Sequence, residues 1–209
     1  MVCEQSLNTA VLCFGDRRLP RALRGLPVVD TDSAIGHYRR LVVVGSDADL
    51  AAVLTRLLRA DRLDVELGFV SPRRSPATRA YRIPAGRRAA RRARRGSARR
   101  VPLIRDETGS AIVGSAQWRP ADGAQLLRGE AVVDDTVLFD GDTDAVRVEP
   151  TAAMPGLRAR VANRRRWLTG RAAQLGTTGA IVIRDGVPAA RPVRRSTFYR
   201  HTEGWLLVR

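Results

Sequence analysis

Short apolar runs alternate with stretches of helical spacing along the first half of the chain. The runs predict buried strands at residues 9–14, 26–30, 41–44 and 64–70. The third run is continuous and valine-rich, which is typical of a parallel strand covered by helices on both faces. Apolar residues then repeat at helical spacing from Leu50 to Leu58. With a short helix at residues 19–24 and a proline-rich loop at 71–84, the pattern predicts an α/β, Rossmann-like parallel-sheet domain over residues 1–100.

The second half carries short alternating runs that are separated by turn dipeptides. Strands are expected at residues 110–113, 131–133, 136–139, 145–148, 157–161, 171–175, 180–183, 197–201 and 205–208. Asp-Gly pairs at residues 122–123, 140–141 and 185–186 predict hairpin turns. We therefore expect a mostly antiparallel, β-sandwich-like domain over residues 101–209.

Arginine dominates the charge of the chain. There are 37 arginines and no lysine against 21 acidic residues, which gives a net charge of +16. The excess reflects either avidity for phosphate or the composition of a GC-rich genome that replaces surface lysine by arginine. The absence of lysine excludes Schiff-base chemistry and a P-loop lysine.

The remaining composition favours a cytoplasmic protein without a metal centre built from cysteine or histidine. No apolar run approaches the roughly 20 residues of a membrane span, and residues 1–20 lack the features of a signal peptide. Cys3 and Cys13 have neither a zinc-binding nor a disulfide spacing, and we expect reduced thiols. We expect structural roles for both histidines, His37 and His201.

An acidic turn follows the valine-rich third strand. It is formed by Gly45, Ser46, Asp47, Ala48 and Asp49. This turn, together with the β-rich second half, resembles the diacylglycerol kinase-like lipid kinases and their NAD kinase relatives, where the turn reads Gly-Gly-Asp-Gly-Thr. The first glycine and Asp47 match, whereas two glycines and the threonine do not. Glycines let backbone N–H groups approach phosphate, and Asp49 adds a like charge, so we expect weakened nucleotide binding.

The family's second glycine-rich loop, Pro-Ala-Gly-Thr-Gly-Asn-Asp, follows its fourth strand. Residues 71–78 are its expected counterpart here, and they contain no glycine. Ser75 and Thr78 are the candidate nucleotide-binding residues of this stretch. The arginines of this region either bind phosphate by charge or lie in a solvated loop; they are Arg73, Arg74, Arg79 and Arg82. A second match, Pro84-Ala85-Gly86, is set aside because Arg87 follows where the family has Thr-Gly-Asn-Asp, and because the match is far from the strand in the sequence.

The resemblance also implies a reaction and its residues. It implies ATP as phosphoryl donor and Mg²⁺-assisted transfer to a lipid hydroxyl, with Asp47 near the metal. Asp140, within Phe139-Asp140-Gly141-Asp142, is the candidate base, because the family carries an Asp-Gly-Glu in its C-terminal sheet. The same Asp-Gly pair is also an ordinary hairpin turn. Four acids either converge on a hard cation or cap helices, so a metal site stays open; they are Asp30, Asp32, Asp47 and Asp49.

Residues 87–95 predict a basic helix with three alanines on one narrow face. Five of its arginines are candidate ligand-facing residues, namely Arg87, Arg88, Arg91, Arg92 and Arg95. Either the alanine face docks on the protein with the arginines in water, or the arginines bind the phosphates of nucleic acid or of an anionic membrane. Further arginine clusters at residues 164–166 and 191–200 lie beside Trp167, Phe198 and Tyr199, which are residue types that stack on bases.

Two functional hypotheses follow. The first is a degenerate lipid kinase-like protein in which phosphorylation is weakened or lost and a lipid or nucleotide phosphate is bound. The alternative is a non-catalytic arginine-rich module for nucleic acid or an anionic membrane surface. The sequence leaves the lipid acceptor and the oligomeric state open.

Overall fold

The computed structural model describes residues 8–121 and 123–209, which form two compact units. The first unit contains residues up to 101 together with 203–209, and the second contains residues 102–202. The expectations for Cys3, for the turn at residues 122–123 and for the side chain of Asp32 lie outside this description.

A five-stranded sheet forms the centre of the first unit. Its strands are β1 (Thr9–Cys13), β2 (Arg40–Val44), β3 (Glu66–Val70), β4 (Ala98–Val101) and β16 (Trp205–Val208). The order is β1-β2-β3-β16-β4, with β1, β2, β3 and β16 parallel and β4 antiparallel to β16. The predicted parallel sheet is confirmed. The strand expected at residues 205–208 is present, but it lies in this sheet and not in the second unit.

The prediction of a strand at residues 26–30 is wrong. Only a single bridge between Val11 and Val28 forms there. Pro27 has no N–H to donate to a ladder, and Val28 is 56% exposed. The segment therefore touches β1 without extending the sheet.

Four helices belong to the first unit. They are α1 (Thr31–Ala34), α2 (Asp47–Arg59), α3 (Pro76–Ala80) and α4 (Gly86–Arg95), and a 3-10 turn spans Arg21–Leu23. The amphipathic helix predicted after the third strand is confirmed as α2, which buries its leucine and valine face. The loop expected at residues 71–84 contains α3, because Ser75 caps a helix that has Pro76 in its first turn.

The helix α4 packs on β3 through its alanines. Ala89, Ala90 and Ala93 are buried, and Ala93 lies directly against Gly68 of β3. A side chain as small as alanine lets the helix approach the sheet closely. The alanine face therefore docks on the protein, as one of the two sequence alternatives expects.

The second unit is an antiparallel sheet of eleven strands. The strands are β5 (Ile104–Asp106), β6 (Ala111–Ile112), β7 (Ala116–Pro120), β8 (Leu127–Val133), β9 (Thr136–Thr143), β10 (Val146–Pro150), β11 (Leu157–Val161), β12 (Leu168–Gly170), β13 (Ala172–Arg184), β14 (Val187–Pro188) and β15 (Val193–Arg200). The long β13 pairs with β7, β8, β14 and β15. Trp118 and Phe198 stack in its core, with ring centroids 5.6 Å apart. The predicted antiparallel β-rich half is confirmed.

The two Asp-Gly turn predictions that fall in this unit's described strands have different outcomes. Asp185-Gly186 forms the expected hairpin, since Arg184 pairs with Val187 on either side of it. Asp140-Gly141 is not a turn: both residues lie within β9, where Asp140 pairs with Glu130 of β8. The turn of that hairpin is made by Asp134 and Asp135, and Asp134 has a φ of +50°.

Candidate functional site

The acidic turn after β2 is closed by a capping box at the start of α2. The Ser46 Oγ accepts the Asp49 N–H at 3.3 Å, and Asp49 Oδ2 accepts the Ser46 N–H at 2.7 Å. Arg17 also faces this carboxylate, with Nη1 3.7 Å from Oδ2. A Cβ on Gly45 would stand 2.7 Å from the same oxygen, so glycine is needed for the turn to fold over Asp49. Ser46 and Asp49 thus stabilise the helix terminus.

Asp47 links this turn to the next loop. Its side chain is buried, with the residue 8% exposed, and Oδ2 accepts the N–H of Ala77 in the first turn of α3 at 2.9 Å. The other oxygen, Oδ1, has no hydrogen-bond partner among the described residues. Asp47 therefore caps α3 from a position 30 residues earlier in the chain. Ala48, the remaining residue of the turn, is half-buried in the first turn of α2.

The loop after β3 carries a second capping box. The Ser75 N–H donates to Thr78 Oγ1 at 2.8 Å, and the Thr78 N–H donates to Ser75 Oγ at 3.2 Å. Thr78 is fully buried, and Arg73 and Arg74 are exposed. Both candidate hydroxyl residues of this loop are engaged in capping α3.

Gly86 lies next to the end of β3 in space. Its N–H donates to the Ser71 carbonyl at 2.8 Å, and its φ of +63° starts α4 in a conformation that favours glycine. The distance along the sequence therefore gives no ground for setting aside the second match at Pro84-Ala85-Gly86. The intervening helix α3 takes up those residues and returns the chain to the strand.

Several backbone donors of the two loops are used within the chain. Seven N–H groups donate to acceptors within the loops or to β3; they belong to Gly45, Ser46, Asp49, Ser75, Ala77, Thr78 and Gly86. A phosphate cradle requires such groups to point at the ligand. The seven groups named above serve acceptors of the chain itself.

The acids supply little for a cation. Asp47 Oδ1 is one buried oxygen of the kind that Mg²⁺ accepts beside substrate phosphates. Asp30, by contrast, caps α1, because its carboxylate accepts the Ser33 N–H at 2.8 Å. Within residues 8–121 and 123–209, no group of three or more His, Cys, Asp or Glu side chains is arranged to hold a metal.

Asp140 lies in the second unit, on an exposed stretch of β9. Its neighbour Asp142 is bound by Arg128, whose Nε and Nη2 donate at 2.9 and 3.0 Å. This bidentate hydrogen bond lowers the pKa of the Asp142 carboxyl below its usual range. The Asp140 side chain has no such partner in the structure as described, and it lines neither of the two arginine-lined spaces described below. The candidate base is thus a solvent-exposed strand residue.

An arginine groove runs along α4 in the first unit, with a volume of about 820 Å³. Four of its arginines lie on one stripe of the helix, namely Arg88, Arg91, Arg92 and Arg95. Three more come from other segments, namely Arg74, Arg82 and Arg209. A smaller space of about 310 Å³ shares Arg82, Arg92 and Arg209 and adds Arg99. Helical periodicity predicts the α4 stripe, and Arg82 is among the loop arginines that the sequence names, whereas Arg99 and Arg209 are brought to the groove by the fold without a sequence signal.

Two other arginines of this region have different surroundings. Arg87 is exposed on α4 but does not line the groove. Arg94 is tied to the 3-10 turn region, where its Nη1 donates to the Ala22 and Arg24 carbonyls at 2.8 and 3.2 Å. Arg94 therefore has a structural role in the protein, whereas Arg87 faces solvent.

The aromatic residues beside the other arginine clusters face their own chain. The guanidinium carbons of Arg158 and Arg160 lie 4.3 and 4.7 Å from the Trp167 ring centroid. Phe198 is buried against Trp118, and Arg105 lies 5.0 Å from the Tyr199 ring centroid. These rings are engaged in packing and cation–π contacts, so the base-stacking role that the sequence allowed finds no support in them.

Over the described part of the chain, every helix is too short or too polar to cross a bilayer.

Comparison with known proteins gives matches in structure alone. No family model and no curated protein sequence matches the chain. An NAD kinase from Archaeoglobus fulgidus in complex with ATP superposes with a TM-score of 0.66 and 13% identity, covering 96% of this chain and 93% of that one. A diacylglycerol kinase from Bacillus anthracis gives a TM-score of 0.73 at 8% identity, covering 97% and 96%.

A third solved structure, yeast NADH kinase complexed with NADH, has a TM-score of 0.57 and 9% identity, covering 88% of this chain and 66% of that one. These identities are too low to transfer an activity. The superposition covers nearly the whole chain for both the Archaeoglobus NAD kinase and the Bacillus diacylglycerol kinase. The chain therefore has the two-unit fold shared by the diacylglycerol kinases and the NAD kinases, as its acidic turn and β-rich second half predict.

Proposed function

We propose that this protein is a degenerate lipid kinase-like protein of the diacylglycerol kinase type. In this proposal ATP-dependent lipid phosphorylation is weakened or lost, and the protein binds a phosphate-bearing ligand, either a nucleotide or a lipid phosphate. The observation that carries the proposal is the internal use of seven loop N–H groups, because these donors are bonded within the chain and are not directed at a triphosphate. The fold supports the class of protein, and the loops support the loss of activity.

The electrostatics of the first loop support the same proposal. Asp49 places a carboxylate at the start of α2, where the helix dipole would otherwise favour a phosphate. Because Asp49 already neutralises that end of the helix, an incoming phosphate gains less there and is repelled by a like charge. Asp47 is similarly committed through Oδ2 to the first turn of α3.

The alternative function, a non-catalytic module for nucleic acid or an anionic membrane surface, relies on the exposed arginines of α4. Two observations weigh against it as the primary role. The apolar face of α4 consists of alanines that are buried on the protein, so it offers nothing for insertion into a bilayer. The aromatic residues near the other arginine clusters are engaged within the chain.

The experiment is a phosphorylation assay with radiolabelled ATP, Mg²⁺ and diacylglycerol in mixed micelles. We expect transfer at or near the level of a protein-free blank. Asp47→Asn is the diagnostic variant, because an amide oxygen still accepts the Ala77 N–H and the cap is retained. Asp16→Asn, at an exposed position of the same unit, is its control. Clear turnover that Asp47→Asn abolishes and Asp16→Asn preserves would overturn the proposal.

A further inference from the structure

The arginine groove is unusual for its lack of compensating acids. None of its seven arginines makes an ion pair in the part of the chain that the structure describes, and no acidic residue lines it. Elsewhere in the same unit arginines do find acids: Arg40 pairs with Glu66, and Arg62 pairs with Asp64. The lack of acids is therefore a property of the groove and not of the whole surface.

The groove is open to solvent and has a volume of about 820 Å³. The spacing of its arginines bears on the size of the ligand. The stripe from Arg88 to Arg95 covers seven residue steps of helix, which is roughly 10 Å at the helical rise. Each guanidinium group can bind phosphate oxygens through paired hydrogen bonds. Because several such groups are spread along that length, they match a chain of phosphates better than a single phosphate.

The lining of the groove lacks the residue types that usually hold a nucleic acid strand or a bilayer. Its apolar residues are Ile83, which is 4% exposed, and Pro84, and no aromatic ring lines the groove. A nucleic acid strand is commonly held by base stacking as well as charge, and a bilayer is held by apolar anchors. Neither feature is present at this groove, so charge and hydrogen bonds to phosphate are its chemistry.

We infer that the arginine groove is a binding site for a compact anion that carries several linked phosphate groups. Such an anion is supplied either as inorganic polyphosphate or as the phosphate chain of a nucleotide. The inference deepens the proposed ligand-binding role and rests on it. None of the residues of the acidic turn, Gly45 to Asp49, lines the groove, whereas Arg74 and Pro84 of the segment after β3 do. The site is therefore separate from the acidic turn and adjoins the second loop.

The test is calorimetric titration of the full chain with sodium tripolyphosphate at low salt. Tripolyphosphate is expected to bind at least about tenfold more tightly than orthophosphate, because it contacts more guanidinium groups. In the variant Arg91→Gln/Arg95→Gln, the affinity for tripolyphosphate should fall about tenfold or more. The control Arg59→Gln/Arg87→Gln removes the same charge from exposed helical positions outside the groove and should change the affinity less than about threefold.

ATP without Mg²⁺ distinguishes the two sources. Affinity equal to that of tripolyphosphate supports inorganic polyphosphate, and clearly tighter binding supports a nucleotide. No binding of tripolyphosphate, or an equal loss in both double variants, would overturn the inference. Binding of a 20-base-pair DNA duplex or of phosphatidylserine vesicles with no binding of tripolyphosphate would also overturn it, in favour of a macromolecular surface. The lipid phosphorylation assay is independent of these results, so failure of one proposal does not imply failure of the other.

Discussion

Asp47 shows at the level of one residue how a side chain in a turn can hold a helix that follows much later in the chain. The sequence places Asp47 in an acidic turn like that of the kinases, and the structure makes it a cap of α3. The donor, Ala77, is 30 residues away, so local sequence gives no sign of the contact. Ser46 and Asp49 differ in this respect, because their capping box lies within four residues and follows the pattern expected at a helix start.

Arg82 gives a prediction at the same scale. It has a φ of +54° directly after α3, and the Ile83 N–H donates to the Thr78 carbonyl at 3.0 Å, as in a helix end that usually carries glycine. We expect Arg82→Gly to raise the free energy of unfolding by about 1 kcal/mol, since the left-handed conformation costs that order for other residues. Urea denaturation followed by circular dichroism measures the change.

Arg79→Gly is the matched control for this substitution. It makes the same chemical change within α3, where glycine lowers helix stability by about 1 kcal/mol. If Arg82→Gly destabilises the protein as much as Arg79→Gly does, the residue is held in place by side-chain contacts that the backbone argument omits.

Elements show where the sequence predicts well and where it does not. The helix α2 and the alanine face of α4 follow from 3.6-residue periodicity, which depends only on near neighbours. The role of Asp140-Gly141 depends instead on the register of β9 against β8, where Asp140 meets Glu130. A turn dipeptide is a local preference, and the pairing of the two strands overrides it.

The contact between α4 and β3 yields a prediction for Gly68→Ala. The added Cβ would stand 2.7 Å from the Ala93 Cβ and 3.0 Å from its Cα, so the helix backbone must move. We expect a loss of about 1–3 kcal/mol in the free energy of unfolding, the usual cost of overpacking. Thermal denaturation gives the measurement.

Gly179→Ala in β13 is the control substitution for Gly68→Ala. Its Cβ would meet Ala121 at 3.6 Å, an ordinary contact distance. The change is expected to be within about 0.5 kcal/mol, as for substitutions that create no clash. Equal melting temperatures for the two variants would show that α4 does not depend on close approach to β3.

At the scale of the whole molecule, the sequence shows the order of the two sheets but not every strand's place in them. The order of apolar runs predicts the parallel sheet followed by the antiparallel one, because alternating and continuous patterns reflect which faces are covered. The return of β16 to the first sheet is not visible in that order, since an edge or central position depends on the fold as a whole. The arginine groove likewise appears only once Arg82 and Arg209 are brought beside α4.

The proposal that residues 45–49 and 71–78 do not form a working nucleotide site can be tested by a thermal-shift titration with ATP in the presence and absence of Mg²⁺. A ligand at 100 times its Kd adds about 2.7 kcal/mol of stability. We predict that Mg²⁺ adds nothing to the effect of millimolar ATP, and that Asp47→Asn behaves like the unchanged protein. A stabilisation that requires Mg²⁺ and is lost in Asp47→Asn would contradict the account and show that the loops still form a working nucleotide site.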